Sequence, residues 1–247
     1  MNKSIVFLFL TLIVLHLEAQ TITVVYNETY EPFSFVHNNQ IKGLEIDIMN
    51  EIAKRAGLNV VHKAFPWVRA QLMVKNGEAD IFITTSTPER ETYAVMSTNG
   101  IFTITNTAVT SRKNPRIELL RTIRSIEDAD KFKQVNYLGT GIANTLLKNA
   151  NVNYISTTDS IFKFLLSNRA DIYIESDVNI MYNASRFNIQ NQLDILPVKF
   201  NSVAFRLGIS KKSSLLNRVE DLNKIIGTMI SDGTINSIFK SYGVSYK

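Results

Sequence analysis

The stretch "ADIFITTSTPER", Ala79 to Arg90, begins as a buried strand and ends in hydroxyls and a cation. Ile81, Phe82 and Ile83 form an unbroken apolar run, the pattern of a strand covered on both faces. Thr84, Thr85, Ser86 and Thr87 follow, then Pro88, Glu89 and Arg90. A strand that stops in hydrogen-bond donors and one positive charge reads as the edge of a site for an anion. Pro88 and Glu89 suit the opening of a helix, whose N-terminal dipole favours negative charge as well.

Working outward, strand-like and helix-like segments alternate, which points to an α/β fold. "TITVVY" (Thr21 to Tyr26) is β-branched and strand-like. "GLEIDIMNEIAKRAGL" carries Ile48, Ile52, Ala53 and Ala56 at helical spacing and closes at Gly57. "NVVHKAF" is a second strand, and "VRAQLMVKNGEA" a helix closed by Gly77. Downstream, "IFTITNTAVTS" (Ile101 to Ser111) is a long β-rich run. "VNYLGTG" reads as a strand into a glycine turn with a helix from Ile142. "DSIFKFLLSNRA" and "DVNIMYNASRF" are helical, and "DIYIE" between them is a strand. "SVAFRLGIS" is a late strand, followed by two closing helices that break at Asp232-Gly233. Two α/β units therefore lie along one chain, with the strands near 101–111 and 203–209 as natural crossovers between them.

The chain has 247 residues, 45% hydrophobic and 20% charged, ordinary values for a globular protein. It opens "MNKSIVFLFLTLIVLHLEAQ", with Lys3 ahead of an apolar run from Ile5 to Leu17. That run is too short for a span of about 20 helical residues and reads as a signal peptide over residues 1–19, leaving an exported chain from near Gln20. There are no cysteines, so an exported chain relies on its core rather than on disulfides, and it has no lipidation cysteine. A free periplasmic protein fits. The net charge of +5 is scattered, and "SRKNPR" (Ser111 to Arg116) reads as a solvated loop. No interleaving of aromatics with basic residues suggests a nucleic-acid groove. Beyond the leader only His37 and His62 remain, which leaves no ordinary zinc-ligand set; no metal and no cofactor is expected.

The segments "YEPFSF", "GLEIDIMNEIAKRAGL", "PWVRAQLMVKNGEADI", "TPERETYAVMS", "LGTG", "NRADIYIESDVNIMY" and "DGTINSIFKSYG" together resemble the periplasmic solute-binding proteins of polar amino-acid ABC importers, of the glutamine-binding type. They occur in that family's order and span nearly all of the chain beyond the leader. The resemblance implies two α/β lobes joined by two crossover hinge strands, with a ligand cleft between them. It divides the chain into a discontinuous first lobe, 20–108 and 204–247, and a second lobe, 109–203. It also implies a monomer that closes on a small carboxylate-bearing solute and delivers it to the membrane subunits of an ABC importer, without catalysis.

Carried onto this sequence, the resemblance places Tyr30 and Trp67 on the cleft wall as aromatics. It places Thr85 and Arg90 on the ligand's carboxylate, where a guanidinium fork matches two oxygens. From the second lobe it brings Gly139, Thr140 and Gly141, a turn that lets backbone approach the ligand. The chain then departs from the family. The position that is often an aspartate for an α-ammonium is Ser176, flanked by Glu175 and Asp177; Asn27 stands where an aspartate is also common, and Tyr137 where some relatives have lysine. Neighbouring strand residues point to opposite faces, so one of Glu175 and Asp177 is expected to reach the cleft. Two other readings remain open: an enzyme resembling cyclohexadienyl dehydratases, with Glu175 or Asp177 as general acid or base, and a ligand-sensing partner of a membrane receptor.

Overall fold

The computed structural model describes residues 20–138, 142 and 146–244. The leader, the turn residues Gly139, Thr140 and Gly141, and most of the helix expected from Ile142 lie outside the described residues.

In chain order the elements begin with β1 (Thr21–Asn27), β2 (Thr29–Tyr30), β3 (Ser34–His37), β4 (Gln40–Lys42), α1 (Leu44–Ala56), β5 (Asn59–Phe65) and α2 (Trp67–Asn76). They continue with β6 (Ile81–Thr85), α3 (Pro88–Tyr93), β7 (Ala94–Met96), β8 (Phe102–Ser111), α4 (Ile117–Leu120), α5 (Ile126–Ala129), β9 (Gln134–Tyr137) and β10 (Val152–Ile155). The chain closes with α6 (Thr158–Leu166), β11 (Ile172–Ser176), α7 (Asp177–Arg186), β12 (Leu193–Ile195), β13 (Asn201–Ser210), α8 (Val219–Ser231) and α9 (Thr234–Ser241). The elements expected from periodicity are present where they are described. The short strands β2, β3, β4, β7, β10 and β12 were not expected, because two to four residues are too few to show a period.

Local chemistry sets the boundaries. In α1, Leu44, Ile48, Met49 and Ile52 bury one stripe. The helix stops at Gly57, whose φ of 65° is left-handed and whose N–H closes on the last carbonyls. Its start is less usual. No side chain caps it; instead the N–H groups of Leu44 and Glu45 donate to the carbonyls of Pro32 and Phe33, at 3.0 and 2.8 Å. Gly43 permits this approach, since its φ is 132° and a Cβ there would lie 2.3 Å from the Phe33 carbonyl oxygen.

The main sheet runs β10-β9-β11-β8-β13-β6-β1-β5. On one side β1 pairs in parallel with β5 and β6; on the other β9 pairs in parallel with β10 and β11. Between these blocks β8 and β13 pair antiparallel with each other and with β11 and β6 respectively. They are the crossover strands, as expected. The chain is thus two-lobed, each block covered by its own helices. One core gathers Ile48, Ile52, Phe102, Phe205, Ile226 and Phe239, so α8 and α9 pack back on α1 and β8. Separate cores form around Ile172 and Ile174 and around Phe162 and Tyr173 in the other block.

Candidate functional site

The register decides where the strand ends meet. Thr85, the last residue of β6, pairs with Phe205, which pairs with Phe102. Ser176, the last residue of β11, pairs with Asn106, which pairs with Asn201. The two blocks therefore aim their carboxyl ends at each other across residues 201–205 of β13, roughly 13 Å at about 3.3 Å per residue. Open α/β sheets bind ligands at carboxyl strand ends. Here two sets of such ends face each other along β8 and β13, and Arg90, Thr85, Trp67, Tyr30, Glu175 and Ser176 all belong to segments that start or end near them.

On the β6 side, Arg90 is half-buried and tightly oriented. Its Nη1 donates to the Thr85 carbonyl at 2.9 Å and to the Thr85 hydroxyl at 2.8 Å; its Nε donates to Gln71 Oε1 at 3.1 Å. The guanidinium carbon lies 5.5 Å from the centre of the Trp67 ring. Trp67 in turn stacks on Phe82 at 6.0 Å. Phe82 lies across β13 because residue 208 is glycine: a Cβ there would come within 2.2 Å of the Phe82 ring. Among the described residues no carboxylate forms a salt bridge with Arg90. Burial pulls its pKa down from the ordinary arginine value. The helix that carries it has six residues and is capped by the Thr87 hydroxyl, which accepts from the Arg90 N–H at 3.2 Å. So short a helix adds little dipole, and the fixed guanidinium is the dominant positive feature. Ser86 donates to Glu91, away from this cluster.

On the β11 side, Ser176 caps α7 by accepting from the Asn179 N–H at 3.2 Å. Asp177 turns to backbone: its Oδ1 accepts from Val178 N–H at 2.9 Å and from Thr105 N–H at 3.4 Å. Glu175 is 8% exposed, and its Oε1 accepts from the Ser176 N–H at 2.8 Å. Burial pushes its pKa up to about 7, with the Ser176 N–H and hydroxyl opposing. Tyr30 stacks on Phe33 at 4.8 Å and interacts with Ser176, Glu175 and Glu45. It thus reaches from the first block to the second. Asn27 is spent locally, accepting from the N–H and hydroxyl of Thr29.

Sequence reasoning had not singled out Gln71 or Glu45. Gln71 was within reach of pattern, four residues after Trp67 and so on the same helix face. Glu45 was not: an acid in a helix's first turn reads as a complement to the dipole, whereas this one is 3% exposed with its pKa raised by burial to about 8. Arg69, on the same helix as Gln71, is exposed and lies over the Phe65 ring at 4.4 Å.

The sequence model of the bacterial extracellular solute-binding proteins, family 3, matches residues 22–245. A "Probable amino-acid-binding protein YxeM" of Bacillus subtilis (strain 168) is 19% identical over 219 residues, 85% of this chain and 79% of that protein. An amino acid ABC transporter substrate-binding protein, AbpA, from Streptococcus pneumoniae, bound to L-arginine, superposes with a TM-score of 0.69 at 19% identity, over 90% of this chain and 94% of that one. A histidine kinase sensor domain with similarity to periplasmic binding proteins gives 0.72 at 14% identity, over 93% and 99%. No helix among the described residues is long and apolar enough to cross a membrane.

Proposed function

The chain belongs to the bacterial extracellular solute-binding proteins, family 3, and from that premise we propose that it binds a small carboxylate-bearing solute, an amino acid or a relative of one, by closing its two lobes. The observation that carries this reading is Arg90: a half-buried cation, held by Thr85, Gln71 and Trp67, that forms no salt bridge among the described residues. Such a guanidinium presents its fork to an incoming carboxylate and has already lost part of its hydration. Trp67 and Tyr30 supply the ring surfaces. Closure follows because the ligand touches both sets of strand ends at once and so favours the closed state.

The bound form is then presented, in the periplasm and as a monomer, to the membrane subunits of an ABC importer; the likeness to an amino acid ABC transporter substrate-binding protein supports that partner. Native mass spectrometry of protein purified without refolding, followed by calorimetry with the co-purified solute, tests the reading. A bound carboxylic acid whose affinity collapses in Arg90→Ala and is not restored by Arg90→Lys is expected. Equal affinity in all three proteins would sink it.

The likeness to a histidine kinase sensor domain supports a second reading, in which the closed form is recognised by a membrane receptor. Co-purification of the loaded protein with importer subunits or with a receptor distinguishes the two. The dehydratase reading rests on Glu175, whose pKa of about 7 suits proton transfer. Turnover of prephenate or arogenate, lost in Glu175→Gln, would establish it in place of simple binding.

A further inference from the structure

A guanidinium carries five N–H donors, and those already engaged decide how a carboxylate can reach Arg90. Nη1 is taken up by Thr85, donating to its carbonyl at 2.9 Å and to its hydroxyl at 2.8 Å. Nε donates to Gln71 Oε1 at 3.1 Å. Nη2 donates to no described residue. The Trp67 ring centre lies 5.5 Å from the guanidinium carbon, and the Tyr93 hydroxyl stands near the group.

A carboxylate pairs with a guanidinium end-on, across Nη1 and Nη2, or side-on, across Nε and Nη2. The end-on edge is blocked at Nη1. Its partner is the last residue of β6, whose backbone is fixed by pairing with Phe205, so the Thr85 carbonyl cannot swing away. The side-on edge differs. One half, Nη2, is open, and the other is held by a side chain. Gln71 is half-buried on α2, and its bond to Arg90 is the one hydrogen bond it makes among the described residues. Nothing else ties its amide in place, and release returns rotamer freedom to it. The amide is also neutral. It satisfies a partly buried N–H, which would be costly to leave bare, without cancelling the charge of Arg90. A carboxylate oxygen makes the stronger, charge-assisted bond at the same donor.

We propose that Gln71 is a placeholder: its amide oxygen occupies the position that one oxygen of the solute's carboxylate takes on Arg90 Nε, and the solute docks side-on by displacing it. The inference rests on the reading of Arg90 as the carboxylate anchor, and adds which edge is used and which residue is moved. Thr85 and Trp67 keep the guanidinium oriented when Gln71 leaves. Gln71 therefore lowers affinity in wild type, because its bond must be broken first. A residue that merely braced Arg90 would raise affinity, so the sign separates the two roles.

The test is calorimetry on the full chain, as wild type, Gln71→Met, Gln71→Glu and Arg90→Ala. The probe is whichever acid gives the largest thermal shift in a panel of the proteinogenic amino acids and straight-chain mono- and dicarboxylic acids. Gln71→Met keeps an unbranched side chain but offers no amide oxygen, and it should bind the probe about 3- to 10-fold more tightly than wild type. Gln71→Glu places a carboxylate on the same donor and should bind about 100-fold more weakly or worse, with an unfolding temperature no lower than that of wild type. If Arg90→Ala loses binding but Gln71→Met binds no more tightly than wild type, the anchor stands and the placeholder is overturned. If Arg90→Ala binds as well as wild type, the anchor falls and the placeholder with it. Nitrogen-15 NMR gives a second measurement on wild type. The Arg90 Nε–H resonance, assigned by its loss in Arg90→Lys, should shift on saturation with the probe, together with the Gln71 side-chain amide. An Nε–H resonance that stays in place overturns side-on docking.

Discussion

Arg90 and Glu175 stand at facing strand ends, and neither forms a salt bridge among the described residues, yet they meet that condition in opposite ways. Arg90 is half-exposed, its donors are partly used by Thr85 and Gln71, and its pKa is high enough that a downward push leaves it charged. Glu175 and its neighbour Glu45 are shut away from water, and burial lifts them to about 7 and about 8, where the neutral form competes. The same absence of a partner makes one corner a standing attraction for an anion and the other a place that binds protons. What separates them is the access of water and the distance of each pKa from neutrality, and the absence of a partner alone would not have predicted either behaviour.

The comparison breaks most visibly at Glu45. Each pKa unit is worth ~1.4 kcal/mol, so a rise from 4.5 to about 8 corresponds to roughly 5 kcal/mol of stability. The sign follows from the neutral form being favoured in the fold: the contribution is complete below about 4.5 and is lost as pH rises through about 8. Urea unfolding at a series of pH values should show wild type weakening across that window. Glu45→Gln should be much flatter; two parallel curves would mean that the acid is not held neutral. At the other corner, Arg90→Ala is expected to weaken solute binding by roughly 2–5 kcal/mol, read by calorimetry, because it strands a desolvated carboxylate. Its urea unfolding should keep the pH dependence of the wild type, because Glu45 and Glu175 are untouched.

Smaller changes sharpen the contrast. Thr85→Val removes one acceptor from Arg90 and leaves the backbone carbonyl in place. A loss of about 1 kcal/mol in solute binding is expected, and a loss as large as that of Arg90→Ala would mean that the hydroxyl touches the solute directly. Trp67→Phe keeps an aromatic beside Arg90 but weakens the cation–π contact, for an effect of about 0.5 kcal/mol. In wild type, saturating solute should shift the emission of Trp67, the chain's single tryptophan. Unchanged emission would remove Trp67 from the ligand's surroundings.

Much of this architecture was legible in the chain. The stripe of α1, the left-handed glycines Gly57 and Gly77 at helix ends, the long strands β8 and β13 and the break at Asp232-Gly233 all declared themselves through period and punctuation. Thr85, Trp67 and Arg90 were set near one another by the family resemblance, and they meet because β6 ends, and α2 and α3 begin, on the same side of the sheet. Gln71 was missed although its spacing from Trp67 was in view.

What the residues determined by themselves is what depends on near neighbours along the chain: helix periods, glycine stops, and a strand that ends in hydroxyls and an arginine. Charge state depended on tertiary structure. Glu175, Ser176 and Asp177 are three consecutive polar residues with little to tell them apart in sequence. In the fold, Ser176 caps α7, Asp177 holds the backbone N–H groups of Val178 and Thr105, and Glu175 is buried against a tyrosine from the other lobe. Glu45 and Glu175 are 130 residues apart, and each reads alone as an ordinary acid. Only the packing that excludes water from both, around Tyr30, raises their pKa values, because desolvation comes from whatever surrounds a group in space.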